Sequence, residues 1–226
     1  MAEQDVIKNK ETEFKFLLRN DSWRTLVTAS NQVIQGYITD YNFQLFLAGG
    51  SNDAAINICF DFKPLLSVTI PCDDLNDIYT KFGDELVAAQ DKCSLRIRVK
   101  EKNGVKTGYL TIKSKNPGAT RDEFEYKIPH EKAEELIANY TKEKVYKTRH
   151  NVVIGTSKWE IDEFHGENKG LIMAEIETKT KPISLPEFIG KEVTDDIRYY
   201  NQNLSVNPFS HWKKKPALSS NDNYQF

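Results

Sequence analysis

Cysteine is scarce in this chain, and Cys59, Cys72 and Cys93 form no Cys-x-x-Cys unit. An odd count without metal-type spacing makes a poor disulfide framework and implies reduced thiols in a cytoplasmic protein. The four histidines, His130, His150, His165 and His211, are scattered, which argues against a zinc centre. No apolar run approaches the roughly 18–20 residues of a membrane span. The opening MAEQDVIKNK lacks the apolar core of a secretion signal. An excess of one charge is missing too. A formal net charge of -2 gives no broad attraction for nucleic acid or an anionic membrane, although it leaves room for a local basic pocket. There is no Gly-x-x-x-x-Gly-Lys loop: AGGSN at 48–52 lacks the lysine and the spacing. Any phosphate would be held by side chains, not by a backbone cradle.

What remains is an ordinary globular composition, 226 residues with 39% hydrophobic and 28% charged, enough for one domain with a core. Most of it reads as strands: 11–18, 32–39, 94–102, 108–115, 122–128, 144–154, 157–165 and 171–179. Turn residues such as Asn103-Gly104 and Asn116-Pro117-Gly118 separate them, suggesting a largely antiparallel sheet or barrel. Pro129 opens a helical stripe of Ala133, Leu136, Ile137 and Tyr140. Near the C-terminus, Thr194 is placed to cap a helix burying Ile197, Tyr200 and Leu204. Residues 42–92 differ from the rest. They are rich in Leu, Ile and Phe and carry a helical stripe of Leu75, Ile78, Tyr79 and Phe82, so they read as an ordered insertion. The expected organisation is one domain over 1–212, interrupted at about 42–92, with a polar tail over 213–226.

The strands repeat one feature. In ETEFKFLL, Glu11, Glu13 and Lys15 share a face, with Phe14 and Phe16 on the other. Arg96, Arg98 and Lys100 alternate with Leu95, Ile97 and Val99, and Lys113 alternates with Ile112. Glu123 and Glu125, Lys147 and Arg149, Glu160 and Asp162, and Glu175 and Glu177 do the same. A β-sandwich with charged outer faces gives the same periodicity. Against it, these faces are almost uniformly charged rather than mixed with Ser, Thr, Gln and Asn, and the charges are sorted by strand. Surface ion pairs are worth only about 0–1 kcal/mol, so the pattern is easier to explain as a site. Closing the strands with charges inward gives a polar tunnel. Arg and Lys match phosphate oxygens, and clustered carboxylates suit Mg²⁺ or Mn²⁺, so the complementary ligand is a metal-complexed polyphosphate.

Glu11-x-Glu13-x-Lys15 is followed in order by IQGYI, LRIR, YLTIK, EFEYKIP, KTRHNV, WEIDEFHGENKGLIMAEIE and FIGKEVTDDIRYYNQNL. Over residues 11–41 and 94–212 this series resembles the CYTH proteins, or triphosphate tunnel metalloenzymes, especially the small bacterial single-domain members. The resemblance implies an α+β, mainly β fold: an eight-stranded antiparallel closed barrel with a charged interior and flanking helices. It implies that Lys15, Arg96, Arg98, Lys113 and Arg149, with Arg198 from the C-terminal segment, hold phosphate oxygens. Glu11, Glu13, Glu175 and Glu177 would be the main ligands of Mg²⁺ or Mn²⁺, with Glu123, Glu125 and Asp162 in support. Lys147 stands where relatives activate the attacking water, which requires its pKa to fall from near 10.4, and Glu13 and Glu125 complete the catalytic set.

The implied activity is metal-dependent hydrolysis of a triphosphate, foremost inorganic tripolyphosphate. Adenylate cyclisation, hydrolysis of thiamine triphosphate or ATP, and a non-enzymatic polyphosphate or nucleotide sensor are the alternatives. The insertion at 42–92 is the main departure from the compact family pattern. It reads as packing, as cover for one tunnel mouth, or as a contact surface for another protein or a second subunit.

Overall fold

Period-two alternation makes a segment bury one face and present the other, and each segment that carries it forms a strand. The computed structural model describes residues 7–40, 42–49, 54–82, 85–87, 93–114, 120–179 and 184–216, with the side chains of 7–11, 85–87, 120 and 121 outside the description. In chain order the first strands are β1 (Ile7–Leu18) and β2 (Val27–Ile38). Next come β3 (Phe43–Gly49), β4 (Ala54–Phe60), β5 (Lys63–Ile70), helix α1 (Cys72–Phe82) and β6 (Glu85–Val87). Then follow β7 (Cys93–Lys102), β8 (Val105–Ser114), β9 (Thr120–Ile128) and helix α2 (His130–Tyr140). The chain continues with β10 (Lys144–Ile154), β11 (Ser157–Phe164), β12 (Ile172–Glu177), β13 (Ile189–Glu192) and helix α3 (Asn201–Val206).

The architecture is mainly β and antiparallel, with few helices, as expected. The strand count is not. The large sheet has nine strands in the order β12-β11-β10-β2-β7-β8-β9-β1-β13, and β12 also pairs with β1. β1 divides its hydrogen bonds: Ile7 to Thr12 face β9, Glu13 to Leu17 face β12, and Phe16 and Leu18 meet the short β13. β13 is the extra strand, and it escapes a sequence reading because four residues are too few to show a period.

The insertion builds a second, four-stranded sheet in the order β5-β4-β3-β6. Its apolar face, with Phe43, Leu45, Ile56, Ile58 and Val68, joins Ile78 and Phe82 of α1 in one core. That core includes Ile97, Leu110, Ile112 and Phe124 from the outward side of β7–β9, and Ala133, Leu136 and Ile137 of α2. The insertion therefore packs. Its helix is anchored by the Tyr126 hydroxyl, which donates to Asp74 Oδ2 at 2.8 Å, and by an ion pair between Lys81 and Asp122. Tyr79, expected on the buried stripe of α1, is instead exposed. Cys59, Cys72 and Cys93 are free thiols.

On four neighbouring strands the charged face turns apolar at the next inward position. Lys15 is followed by Leu17, Lys147 is preceded by Val145, Asp162 is followed by Phe164, and Glu175 is preceded by Met173. These four apolar residues form a cluster with Tyr199, Leu204, Phe209 and Trp212 of the C-terminal segment. The charged cavity thus has an apolar stop at one end. In that segment Ile197, expected to be buried, is 61% exposed, while Tyr199 and Leu204 are buried. Nor does Thr194 cap a helix: its Oγ1 accepts from the Lys15 backbone N–H at 3.1 Å and donates to Glu192 Oε1 at 2.9 Å.

Candidate functional site

Residues directly opposite in an antiparallel ladder share a face, so the register states which charges meet. Glu13 lies opposite Glu177 and Lys15 opposite Glu175. Lys113 lies opposite Glu123, and Thr111 is opposite both Glu125 and Arg96. Arg149 lies opposite Asp162, and Glu160 opposite Glu175. These inward positions converge on one cavity of about 870 Å³, lined by Glu13, Lys15, Arg96, Arg98, Lys113, Glu123, Glu125, Lys147, Arg149, Glu175 and Glu177 among the expected site residues.

Within it, opposite charges are closely paired. Lys15 Nζ lies 2.5 Å from Glu175 Oε1 and 3.0 Å from Glu13 Oε2. Arg96 Nη2 lies 3.1 Å from Glu123 and 3.2 Å from Glu125, Arg98 Nη2 is 2.7 Å from Glu125, and Lys113 pairs with Glu123. Arg149 Nη2 reaches Asp162 at 2.7 Å and Glu175 at 2.5 Å, while Nη1 pairs with Glu160. Lys147 Nζ donates to Asp162 Oδ2 at 2.5 Å and to Asn201 Oδ1 at 3.4 Å. Thr111 Oγ1 donates to Glu125 at 2.9 Å and accepts from Arg96 at 3.1 Å.

Burial would push the carboxylates up and the ammonium groups down, and the partners decide the outcome. Against burial, Lys15, Arg149 and Lys147 hold Glu175 well below the usual carboxylate range. Also against burial, Arg149 and Lys147 lower the pKa of Asp162, and Arg98 and Arg96 lower that of Glu125. Lys15 loses proton affinity to burial but recovers more from Glu13 and Glu175, and ends above its ordinary value. Lys147 goes the other way: burial and then Arg149 outweigh Asp162 and Glu175, so its pKa is lowered. Glu177 stands at the cavity's edge, and its pKa is raised by partial burial and then by Glu160, Glu13 and Glu123.

Two expected positions fall elsewhere, and a third is not described. Asp162 is fully buried beneath the lining, as the anchor of Lys147 and Arg149. The side chain of Glu11 lies outside the described residues, although its backbone sits on β1. Arg198 does not line the cavity. Its guanidinium pairs with Asp196 at 2.6 Å and lies over the Trp212 ring at 5.2 Å, because a one-turn 3-10 segment at Ile197–Tyr199 points it outward. Its neighbours Tyr200, Asn201, Gln202 and Asn203 line the cavity instead. Lys100, expected on the charged face with Arg96 and Arg98 but given no role, also lines it, and so do Tyr37, Tyr109 and Lys127, which were not singled out by sequence. Tyr37 OH accepts from Gln35 Nε2 at 2.9 Å, and burial raises its pKa against the pull of Arg96, Lys113 and Lys15.

The carboxylates are hard oxygen donors of the kind Mg²⁺ and Mn²⁺ prefer. Among the described residues no group of three or more such side chains is gathered around one point, because most of them lean on cations. Glu177 is the exception: it has no ion-pair partner among the described residues and is crowded by other carboxylates. Glu13 and Glu177, opposite one another across the β1–β12 ladder, are donors of a type that suits a divalent cation.

Interleaved cations and carboxylates on one inward wall of an antiparallel sheet define a binder of a phosphate-rich anion taken up together with a metal cation. The chain belongs to the CYTH domain family, whose model matches residues 72–204, over half of its length. It is 42% identical over 125 residues to an inorganic triphosphatase of Acetivibrio thermocellus, a match covering 54% of this chain and 77% of that protein. It is 28% identical over 149 residues to an inorganic triphosphatase of Nitrosomonas europaea, covering 64% of this chain and 95% of that protein. The crystal structure of the inorganic triphosphatase NE1496 aligns at 21% identity with a TM-score of 0.48, covering 88% of this chain and 95% of that one.

Proposed function

We propose that this chain is an inorganic triphosphatase that hydrolyses tripolyphosphate with Mg²⁺ or Mn²⁺, and that residues 1–212 act as one domain for that purpose. The observation that carries the reading is the convergence of Lys15, Arg96, Arg98, Lys113 and Arg149 with the inward carboxylates on one cavity. The pairing of β12 with β1 supports a tunnel, since it joins the two ends of an eight-strand series. A cytoplasmic setting is part of the proposal, supported by the free thiols. Among the described residues no helix is long and apolar enough to cross a membrane.

Binding is an exchange of partners. Phosphate oxygens would take the place of Glu13 and Glu175 on Lys15 and of Glu123 on Lys113, and Glu13, with Glu177, would then hold the metal ion. When bound, the metal adds charge neutralisation at the phosphate oxygens. Lys15, Arg96 and Lys113 then fix the chain for in-line attack by water, which forms one P–O bond as the anhydride P–O bond breaks. Lys147 is suited to handle the water's proton, because burial and Arg149 lower its proton affinity while Asp162 and Asn201 hold its amine in place. Glu125, braced by Arg98 and Thr111, orients the phosphate-binding guanidinium groups.

Phosphate release from tripolyphosphate with Mg²⁺ or Mn²⁺ is the test. Glu13→Gln and Lys113→Ala are each expected to lower kcat/KM by about 10²-fold or more. Near-normal rates in folded versions of both variants would sink the assignment. Cyclic AMP formed from ATP, or tight binding without turnover, would replace it with the cyclase or the sensor reading.

A further inference from the structure

The edge of a sheet leaves N–H and C=O groups without partners, and proteins blunt it with charge, proline or shortness. The insertion's sheet ends on two such edges, β6 and β5. β6 has three residues and is blunt by length alone. β5 has eight, pairs with β4 on one side, and has no second strand among the described residues. Its blunting is confined to one end. Lys63 and Pro64 open the strand, and Leu65-Leu66-Ser67-Val68-Thr69-Ile70 then runs without a charge, a proline or a glycine. Val68 and Ile70 are buried in the core, while Ser67 and Thr69 between them are exposed. A long, uncharged edge of this kind is a template for a further strand.

The flanking charges select which strand fits. Lys63 stands at the start of β5, and Asp73 stands just past its end in the first turn of α1. Both are exposed, and neither has an ion-pair partner among the described residues. Two copies of β5 running antiparallel bring Lys63 of each copy towards Asp73 of the other, whereas a parallel arrangement sets like charge beside like. Antiparallel pairing of identical strands is also what a two-fold axis generates, since one patch then serves both copies. An axis normal to the sheet at Val68 puts Leu66 opposite Ile70 and Ser67 opposite Thr69. Core-side residues then meet each other, and hydroxyls meet on the solvent side. Pro64, which has no N–H to offer, falls outside the paired run.

We propose that the β5 edge binds a second copy of this chain, joining two insertion sheets through antiparallel β5 strands into one sheet across a two-fold axis. Lys63 and Asp73 fasten each end of the interface. No residue of β5 lines the charged cavity, so each copy keeps its own site, and the interface stands independently of the triphosphatase reading.

Light scattering after size exclusion, on the full chain over a series of concentrations, tests this. The wild type is expected to reach twice the 26.0 kDa of one chain. Ser67→Lys with Thr69→Lys, and separately Ser67→Glu with Thr69→Glu, set like charges opposite one another on the solvent side. Each double variant is expected to raise the dimer Kd by about tenfold or more, and circular dichroism checks that it is folded. Mixing the two doubles restores the dimer, because Lys then faces Glu. In the wild type, with no substitution at all, hydrogen exchange of the β5 amides is expected to slow as the dimer forms. A wild-type monomer overturns the interface, and β5 amides already protected in that monomer assign the edge to another segment of the same chain. A dimer that forms without slowing β5 exchange, or that both folded doubles form as tightly as the wild type, overturns it in favour of a different surface.

Discussion

Glu177 faces Glu13 across the β1–β12 ladder with Glu160 nearby, and no cation among the described residues pairs with it. Its raised pKa means that the ionised form is disfavoured in the folded chain, so at neutral pH this carboxylate works against folding until a cation arrives. Glu177→Gln is therefore expected to raise the Tm in EDTA by about 2 °C and to shrink the further rise on adding Mg²⁺. A lower Tm in EDTA would contradict this. Charged positions such as Glu177 were legible because β-alternation exposes them in the sequence. Tyr37 was not, since the inward face of β2 is Asn31, Val33, Gln35 and Tyr37, which carries no charge to alternate. Arg198 was misread for a different reason. A regular helix would have kept one phase through DIRYYNQNL, but Tyr200 is extended, at φ -74 and ψ 135, between the 3-10 turn and α3, and the phase restarts there.

Helix α2 sits close to the sheet because glycine leaves room for it. A Cβ built on Gly36 would lie 2.4 Å from Thr141 Oγ1 and 2.7 Å from Thr141 Cβ, just past the helix end. Thr141 cannot easily move, since its hydroxyl donates to the Ile137 carbonyl at 2.7 Å. Gly36→Ala is expected to cost about 1–3 kcal/mol in a urea melt, through overpacking. A melt matching the wild type would mean that the helix end yields freely. The sequence announced α2 through Pro129 and its stripe, and announced the β7–β8 turn through Asn103-Gly104, whose φ values of 50° and 79° are both left-handed. The four strands of the insertion were not separable. Their residues run apolar without a clear period, and the β4–β5 hairpin turns on Asp61 and Phe62, left-handed at 49° and 60° without a glycine to signal it.

At the scale of the whole molecule, the fold carries a charged interior that is nearly self-neutralising when no ligand is bound. Glu125, Asp162 and Glu175 all titrate below their ordinary range in the folded chain. A depressed carboxylate contributes stability above its unfolded pKa and loses that contribution as the pH falls through its folded value. In EDTA the urea midpoint is therefore expected to drop between about pH 5 and pH 3, as these groups are forced to protonate. Glu177 acts in the opposite sense and only softens the fall. A midpoint that rises over this interval would show that the interior ion pairs do not support the fold.

The divided pairing of β1 has a consequence for how the chain is made. Lys15 and Glu175 meet across 160 residues, and the other partners of β1 are β9 and β13. β1 is synthesised ahead of all its partners and waits for them with open edges. Refolding of the full chain is then paced by that one distant encounter rather than by the hairpins, which find their partners locally.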